Sequence, residues 1–341
     1  MEASSEFKVY PKRHTIVGLF ILVQMMMGIL VNTFTPVAAY LGTIYDLDPV
    51  VINLTGLLFV LMHPLFTFPA AYFIDTYGTR TGIFIGCVFC IVGVSTRLLI
   101  NHAFGFAIVG NILAGIGRPF ILNCQTKIAA NWFTAETRGG ITQLLTLVLN
   151  VSLILGIFIP GIVFGAYEPA EDGSNIEEGK DLAFELMVVE MIMALVCCLP
   201  NMLLQKSKPP TPPSASGNAP REPFAQALKG LFTNKDYVLL LLSFGCFFGI
   251  FNGISIVLSY LIKPWFGEND LPFAVAAVGG SPVVSGIIGV VILGSKQRKS
   301  GQFKKWVLIC MIGNFAITQA HWCLSSCSTR SSTLAPSSWP V

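Results

Sequence analysis

The stretch PAAYFIDTYGTR, residues 69–80, stops a long apolar run at an aspartate, follows it with a glycine, and passes an arginine before a second apolar run begins. Apolar residues dominate about 49–74 before it and 81–100 after it. A helix crossing the hydrocarbon core of a bilayer needs about 20 mostly apolar residues. The stretch therefore reads as a polar turn between two membrane-spanning helices. Composition agrees, because 53% of the 341 residues are hydrophobic, 11% are charged and the mean hydropathy is +0.70, far from the usage of a soluble domain.

Nine segments meet the length requirement, near residues 15–40, 49–74, 81–100, 103–132, 139–166, 182–205, 237–262, 271–294 and 303–320. Lys and Arg test this assignment, since cytoplasmic loops collect them. With the N-terminus inside, one side gathers Lys8, Lys12, Arg13, Arg80, Lys127, Arg138, Lys206, Lys208, Arg221, Lys229, Lys235 and the basic cluster from Lys296 to Lys305. The loops of the other side hold only Lys180 and Lys263, beside acidic residues such as Glu168, Glu171 and Asp172. The chain is predicted to be an all-α, multi-pass membrane protein with a cytoplasmic N-terminus, in the plasma membrane or an organelle membrane. Its net charge of +3 follows from this topology. No basic and aromatic surface for nucleic acid is visible, so the expected partner surface is the lipid bilayer. The run starting at Thr15 is too long for the core of a signal peptide and is expected to remain.

The spans divide into groups. Residues 1–14 form a cytoplasmic arm, 15–205 a bundle of six spans, 206–236 a cytoplasmic linker and 237–320 three further spans. KSKPPTPPSASGNAPREP, residues 206–223, is rich in Pro and Ser, cannot pack a core and reads as flexible. PFAQALKGLF, residues 223–232, sets Phe224, Leu228, Leu231 and Phe232 on one helical face suited to a membrane surface, with an unstructured linker as the alternative. The nine cysteines fall almost wholly in apolar runs and match no zinc or disulfide spacing, so no metal or cofactor is expected. No phosphate-binding loop, zinc-protease or serine-hydrolase pattern is present, which argues against an enzyme.

Six spans, a loose connection and further spans resemble the major facilitator superfamily. Its first half carries a signature between helices 2 and 3: glycine, three residues, aspartate, a basic residue, then glycine and two basic residues after a gap of one. Ala71, Asp75, Gly78 and Arg80 stand at matching places, and Thr76 and Thr79 replace two of the basic ones. The resemblance implies a conformational latch of Asp75, Gly78 and Arg80 between the two halves. An ordinary polar turn is the plainer alternative. The runs NTFTPVA (32–38), FPAAYFIDTYG (68–78), GRPFILNCQTKIAANWF (117–133) and PPTPPSASG (209–217), with LKGLFTNKDYVLLL (228–241), resemble the feline leukaemia virus subgroup C receptor family of solute carriers. That family is associated with haem and with choline or ethanolamine. Its choline carriers enclose the quaternary ammonium with aromatic rings in helices 1 and 7, a cation–π use, whereas Val31 and Asn252 occupy the matching positions here. The family's helix 5 glutamine corresponds to Asn150. The resemblance implies a major facilitator type bundle carrying a small-molecule solute, an organic cation or haem among the candidates.

Polar groups inside spans are costly and mark functional candidates. Helices 1, 4, 7 and 10 mainly line the cavity of such folds, with 2, 5, 8 and 11 contributing, which makes Asn32, Arg118, Asn123, Asn150 and Asn252 the candidate substrate cavity. Arg118 is the sharpest member: a guanidinium in mid-span either binds an anionic substrate group or pairs with a backbone carbonyl, Asp75 or Glu190 as packing. The amides either touch solute or join helices. Arg97, near the outer end of its span, is expected to snorkel to water. His63 beside Pro64 reads as a proton-coupling group or as a ring bonded to nearby carbonyls.

The last segment, HWCLSSCSTRSSTLAPSSWPV (321–341), turns Ser-rich without apolar periodicity and reads as a frame-shifted or alternatively spliced end, or as a genuine tail. Six spans and about three leave the second half of such a fold incomplete. A truncated, non-transporting membrane protein or regulatory partner is accordingly the alternative to a carrier.

Overall fold

A computed structural model describes residues 9–165, 167, 170, 174–211, 213, 224–262 and scattered positions between 278 and 313. Two compact units are present, residues 1–284 and 285–341. The second is helical at its described positions apart from Gln302. The expected spans at 271–294 and 303–320 are described only at such scattered positions, and 321–341 lie outside the described residues.

The first unit is a bundle of α-helices. Its opening span is α1 (Lys12–Ile29), a single 3₁₀ turn (Thr35–Val37) and α2 (Ala38–Tyr45). One continuous helix was expected over 15–40. Pro36 explains the difference, since it offers no backbone N–H and disfavours helical geometry at Thr35 before it. Next comes α3 (Pro49–Tyr77), started by Asp48, whose Oδ1 accepts from the Val50 N–H at 2.8 Å. Pro49 at its first turn suits a position that needs no donor.

The turn between α3 and α4 (Thr79–Arg97) is a single residue, Gly78. Its φ of +88° and ψ of 170° lie where a β-carbon is disfavoured, so glycine alone reverses the chain there without strain. The remaining helices are α5 (Gly105–Leu122), α6 (Cys124–Trp132), α7 (Arg138–Val163), α8 (Ile176–Leu204), α9 (Phe224–Thr233) and α10 (Lys235–Ile262). The stretch expected as a surface helix or loose linker at 223–232 is helical, as α9. Among the described residues, five runs are long and apolar enough to cross a membrane: α3, α4, α5 with α6, α7 and α8.

Within a bilayer, helices associate by close packing rather than by hydrophobic exclusion, and small residues permit the approach. The antiparallel pair α4 and α5 shows this at two levels. A β-carbon on Gly93 would sit 2.6 Å from the Gly110 carbonyl oxygen, and one on Gly110 would sit 2.5 Å from that of Gly93. Gly86 and Gly117 repeat the contact two turns away, with the Gly117 position 2.7 Å from the Gly86 oxygen. Apolar side chains fill the bundle in two clusters. One holds Phe20, Met27, Ile83, Ile121 and Trp132. The other, towards the opposite end, packs α2 and the α4–α5 turn against α8 through Leu41, Ile100, Phe104, Tyr167 and Met187.

Overpacking against backbone cannot be relieved by a rotamer change, so it exceeds the usual ~1–3 kcal/mol. Gly110→Leu is expected to abolish the monodisperse peak in detergent size-exclusion chromatography. Gly18→Leu is expected to leave it unchanged, because nothing lies within 4 Å of the Gly18 position.

Candidate functional site

The deepest charges belong to α4 and α8. Arg97 and Glu190 have side-chain exposures of 0% and 1%, and Arg97 Nη1 lies 3.0 Å from Glu190 Oε2. The guanidinium meets the carboxylate off the line of its N–H bonds, so the attraction is ionic more than a directed hydrogen bond. The Thr33 hydroxyl donates to Glu190 Oε1 at 2.5 Å, and the Arg97 guanidinium carbon stands 4.6 Å from the centre of the Phe34 ring. Thr33 and Phe34 are the residues at which the first span breaks. The pair therefore fixes the break between α1 and α2 to α4 and α8. Arg97 does not snorkel as expected: the second apolar cluster, with Ile100 and Phe104 above it, seals its route to water.

The candidate cavity residues occupy different environments. Asn32 Nδ2 donates to the Leu153 carbonyl on α7 at 3.2 Å. Asn123, at the junction of α5 and α6, donates to the Thr67 carbonyl at 3.1 Å and its hydroxyl at 3.3 Å on α3. Both amides thus join helices. Asn150, half-buried on α7, has no hydrogen bond among the described residues. Asn252 lies within α10, and its side chain is outside the described residues. No hydrogen bond or ion pair among the described residues joins any two of these five. Gln24 and Gln125 are a further joint: Gln24 Nε2 donates to Gln125 Oε1 at 3.2 Å and to the Leu145 carbonyl at 2.8 Å.

Arg118 differs from all of these. It is 9% exposed, and its guanidinium carbon lies 5.5 Å from the Phe59 ring centre on α3. Neither carboxylate expected as its partner is available: Glu190 faces Arg97, and Asp75 pairs with Lys127. Among the described residues Arg118 makes no ion pair, and its Nε is sealed without a hydrogen-bond partner. His63, one turn beyond Phe59, interacts electrostatically with Arg118 and keeps Nδ1 sealed and unpartnered. Leaving such a cation uncompensated at a span's centre costs about 2.5–3.5 kcal/mol even on the mildest scale.

The turn at Gly78 is the second constellation. Lys127 Nζ on α6 lies 2.6 Å from Asp75 Oδ1, with side-chain exposures of 22% and 35%. Ser207, just after α8, closes over the turn. Its Oγ accepts from the Arg80 N–H at 2.9 Å, and its carbonyl accepts from Thr79 Oγ1 at 3.3 Å and Asn131 Nδ2 at 3.1 Å. Asp75, Gly78, Asn131, Ser207 and Lys208 line a groove of about 270 Å³. Sequence reasoning singled out Asp75, Gly78 and Arg80 but not Ser207, which no local pattern distinguishes from the Ser-rich linker.

Residues 20–336 match the model of the Major Facilitator Superfamily. Solute carrier family 49 member A3 of Danio rerio is 27% identical over 318 residues, covering 91% of this chain and 64% of that relative. The choline/ethanolamine transporter FLVCR2 of Homo sapiens is 24% identical over 279 residues, 79% of this chain and 51% of that protein. A solved bacterial homologue of the human lysosomal transporter Spinster, inward-facing and unoccupied, shares the fold with a TM-score of 0.61 at 16% identity, over 86% of this chain and 64% of that one. The chain thus spans less than two thirds of the length of these proteins.

Removing one member of a buried ion pair strands the other charge, at about 3–5 kcal/mol. Glu190→Gln is expected to lower the melting temperature in lipid nanodiscs strongly. The double variant Arg97→Met with Glu190→Met is expected to recover most of the loss, and a double variant no more stable than Glu190→Gln would contradict the pairing.

Proposed function

The chain belongs to the major facilitator superfamily as an integral multi-pass membrane protein, and on that premise we propose that it carries a small organic solute by alternating access. The observation that carries this reading is the clasp at Gly78. There, Asp75 with Lys127 and Ser207 with Arg80, Thr79 and Asn131 tie α3, α4, α6 and the end of α8 at the basic end of the bundle. The clasp lies within the six-span half and shapes the end of it that meets the other half as the two rock, and its contacts are individually weak. A partly exposed pair such as Asp75 with Lys127 is worth about 0.2–1 kcal/mol, whereas the buried pair at the other end is far harder to break. Asp75, Gly78 and Arg80 then serve as the latch. The basic end with the N-terminus is cytoplasmic on this reading, by the positive-inside asymmetry.

The substrate cavity is assigned to Arg118 and Asn150, with Asn32, Asn123 and Asn252 as further members. Arg118 and Asn150 have no hydrogen bond or ion pair among the described residues, and the interhelical bonds of Asn32 and Asn123 can exchange for solute as the bundle rocks. Choline and ethanolamine, named for FLVCR2, are the first solutes to try, although Val31 supplies no ring for a quaternary ammonium. Haem, associated with the family the sequence resembles, is a further solute to try.

Purified protein in liposomes tests the reading. Flux of labelled choline, ethanolamine or another small organic solute is expected with the native chain, and absence of flux for a broad panel would overturn it. Asp75→Asn is expected to slow that flux several-fold and to shift the inward-to-outward labelling of single cysteines. An unchanged rate together with unchanged labelling would remove the latch.

A further inference from the structure

We propose that Arg118, with His63 beside it and the ring of Phe59 beneath it, binds the carboxylate of a small organic monoanion. The proposal deepens the carrier reading and rests on it for transport, though not for binding.

Four observations converge on this site. Arg118 sits at the midpoint of the 28-residue run Gly105–Trp132, which crosses the membrane as α5 and α6. With the run centred in the bilayer, about 15 Å of hydrocarbon would separate it from either headgroup layer, which disfavours a lipid phosphate as its partner. Second, the side chain is more than nine-tenths buried and directed at α3, where its guanidinium lies 5.5 Å from the Phe59 ring centre. Third, the carboxylates of α3 and α8 that sequence reasoning offered are committed elsewhere, to Lys127 and to Arg97. Fourth, His63 Nδ1 and Arg118 Nε are both sealed from solvent without a partner. Buried polar groups are ordinarily satisfied, and two unsatisfied ones on facing helices mark a place where a ligand supplies the partner.

The chemistry of that ligand follows from charge and shape. One guanidinium balances one negative charge, whereas a phosphate dianion would leave a net charge buried. The planar fork of Arg donates two parallel hydrogen bonds to a carboxylate. The His63 ring beside it, with Nδ1 buried and unpartnered, can add a third hydrogen bond. The walls are apolar, with Phe59 fully buried and Met62 packed close to the Gly115 crossing of α3 and α5. The remainder of the solute is therefore small and largely apolar. Asn111 lies on the same stripe of α5, two turns away, with both its amide atoms buried and unpartnered. It offers hydrogen bonds to a neutral polar group at the solute's far end.

The test is binding to the full chain purified in lipid nanodiscs, read by calorimetric titration and thermal shift. The probes are sodium phenylacetate, sodium lactate, inorganic phosphate and chloride at constant ionic strength. At least one carboxylate is expected to bind and to raise the melting temperature, more tightly than phosphate or chloride. Arg118→Gln is expected to weaken that binding at least tenfold. Arg118→Lys, which keeps the charge and loses the fork, is the second variant if the first fails to fold, and is also expected to weaken it severalfold. No carboxylate binding, binding of phosphate or chloride alone, or carboxylate binding unchanged in both variants would overturn the site. Carboxylate binding without flux in liposomes supports the site while overturning the carrier reading. Flux of another solute with no carboxylate binding does the reverse.

Discussion

A guanidinium with no route to water must find its negative charge inside the bundle, and Arg97 is in that position. Its counter-charge comes from Glu190 on α8, and Glu190 in turn holds Thr33 at the break in the first span. Three segments distant in sequence are thereby constrained at one point, because displacing any of them exposes a buried ion to hydrocarbon. The cation–π contact with Phe34 adds a direction to the constraint. The α1–α2 break has two causes that agree: Pro36 removes a backbone hydrogen bond from the helix there, and the ion pair fixes where the resulting corner sits.

Rigidity at that end contrasts with the clasp at Gly78. Asp75 and Lys127 are partly exposed, and Ser207 contributes single hydrogen bonds at the surface of the turn. Weak contacts of this kind are screened and exchange readily with water. Between the two ends, α4 and α5 touch backbone to backbone at Gly86–Gly117 and Gly93–Gly110. Such a pair is held close along its length, with side chains such as Ile121 and Phe89 packed against the glycines. Within the six-span bundle, then, one end is held by a buried ion pair, the centre by close backbone contact and the other end by partly exposed contacts.

Much of this arrangement was legible in the residues. Apolar run lengths located the helices, and the Asp75–Gly78–Arg80 spacing located the one-residue reversal, because aspartate, a left-handed glycine and a basic residue interrupt a span for local reasons. Arg97 was misread for a reason that is not local. Its place near the end of α4 suggests an interface, but α2 runs on to Tyr45 and packs with Phe104 and Tyr167 as an additional apolar layer above it. Sequence spacing gives depth along one helix and says nothing of what neighbouring segments lay over it. The partner of Arg118 stays open in the sequence for the same reason, as the choice between an anion, a backbone carbonyl, Asp75 and Glu190 depends on how helices face one another. Ser207 was illegible because its role is set by where the end of α8 lands on a turn about 130 residues earlier.

Arg97 and Arg118 are chemically the same group at similar burial, and their difference is the most informative feature of the bundle. Both stand over an aromatic ring, Phe34 in one case and Phe59 in the other. Among the described residues, only Arg97 of the two has a carboxylate. A ring face attracts a cation by about 2 kcal/mol when desolvated, which falls short of the cost of an isolated charge in hydrocarbon on the higher estimates. Structural stability alone would favour a neutral side chain at position 118, since a glutamine there could satisfy the same backbone without the charge. The proposed carboxylate site would give this cation a counter-charge that the described side chains do not supply. Arg97 thus explains how the bundle is held together, and the same electrostatic argument, with no partner among the described residues, is what the proposal for Arg118 rests on.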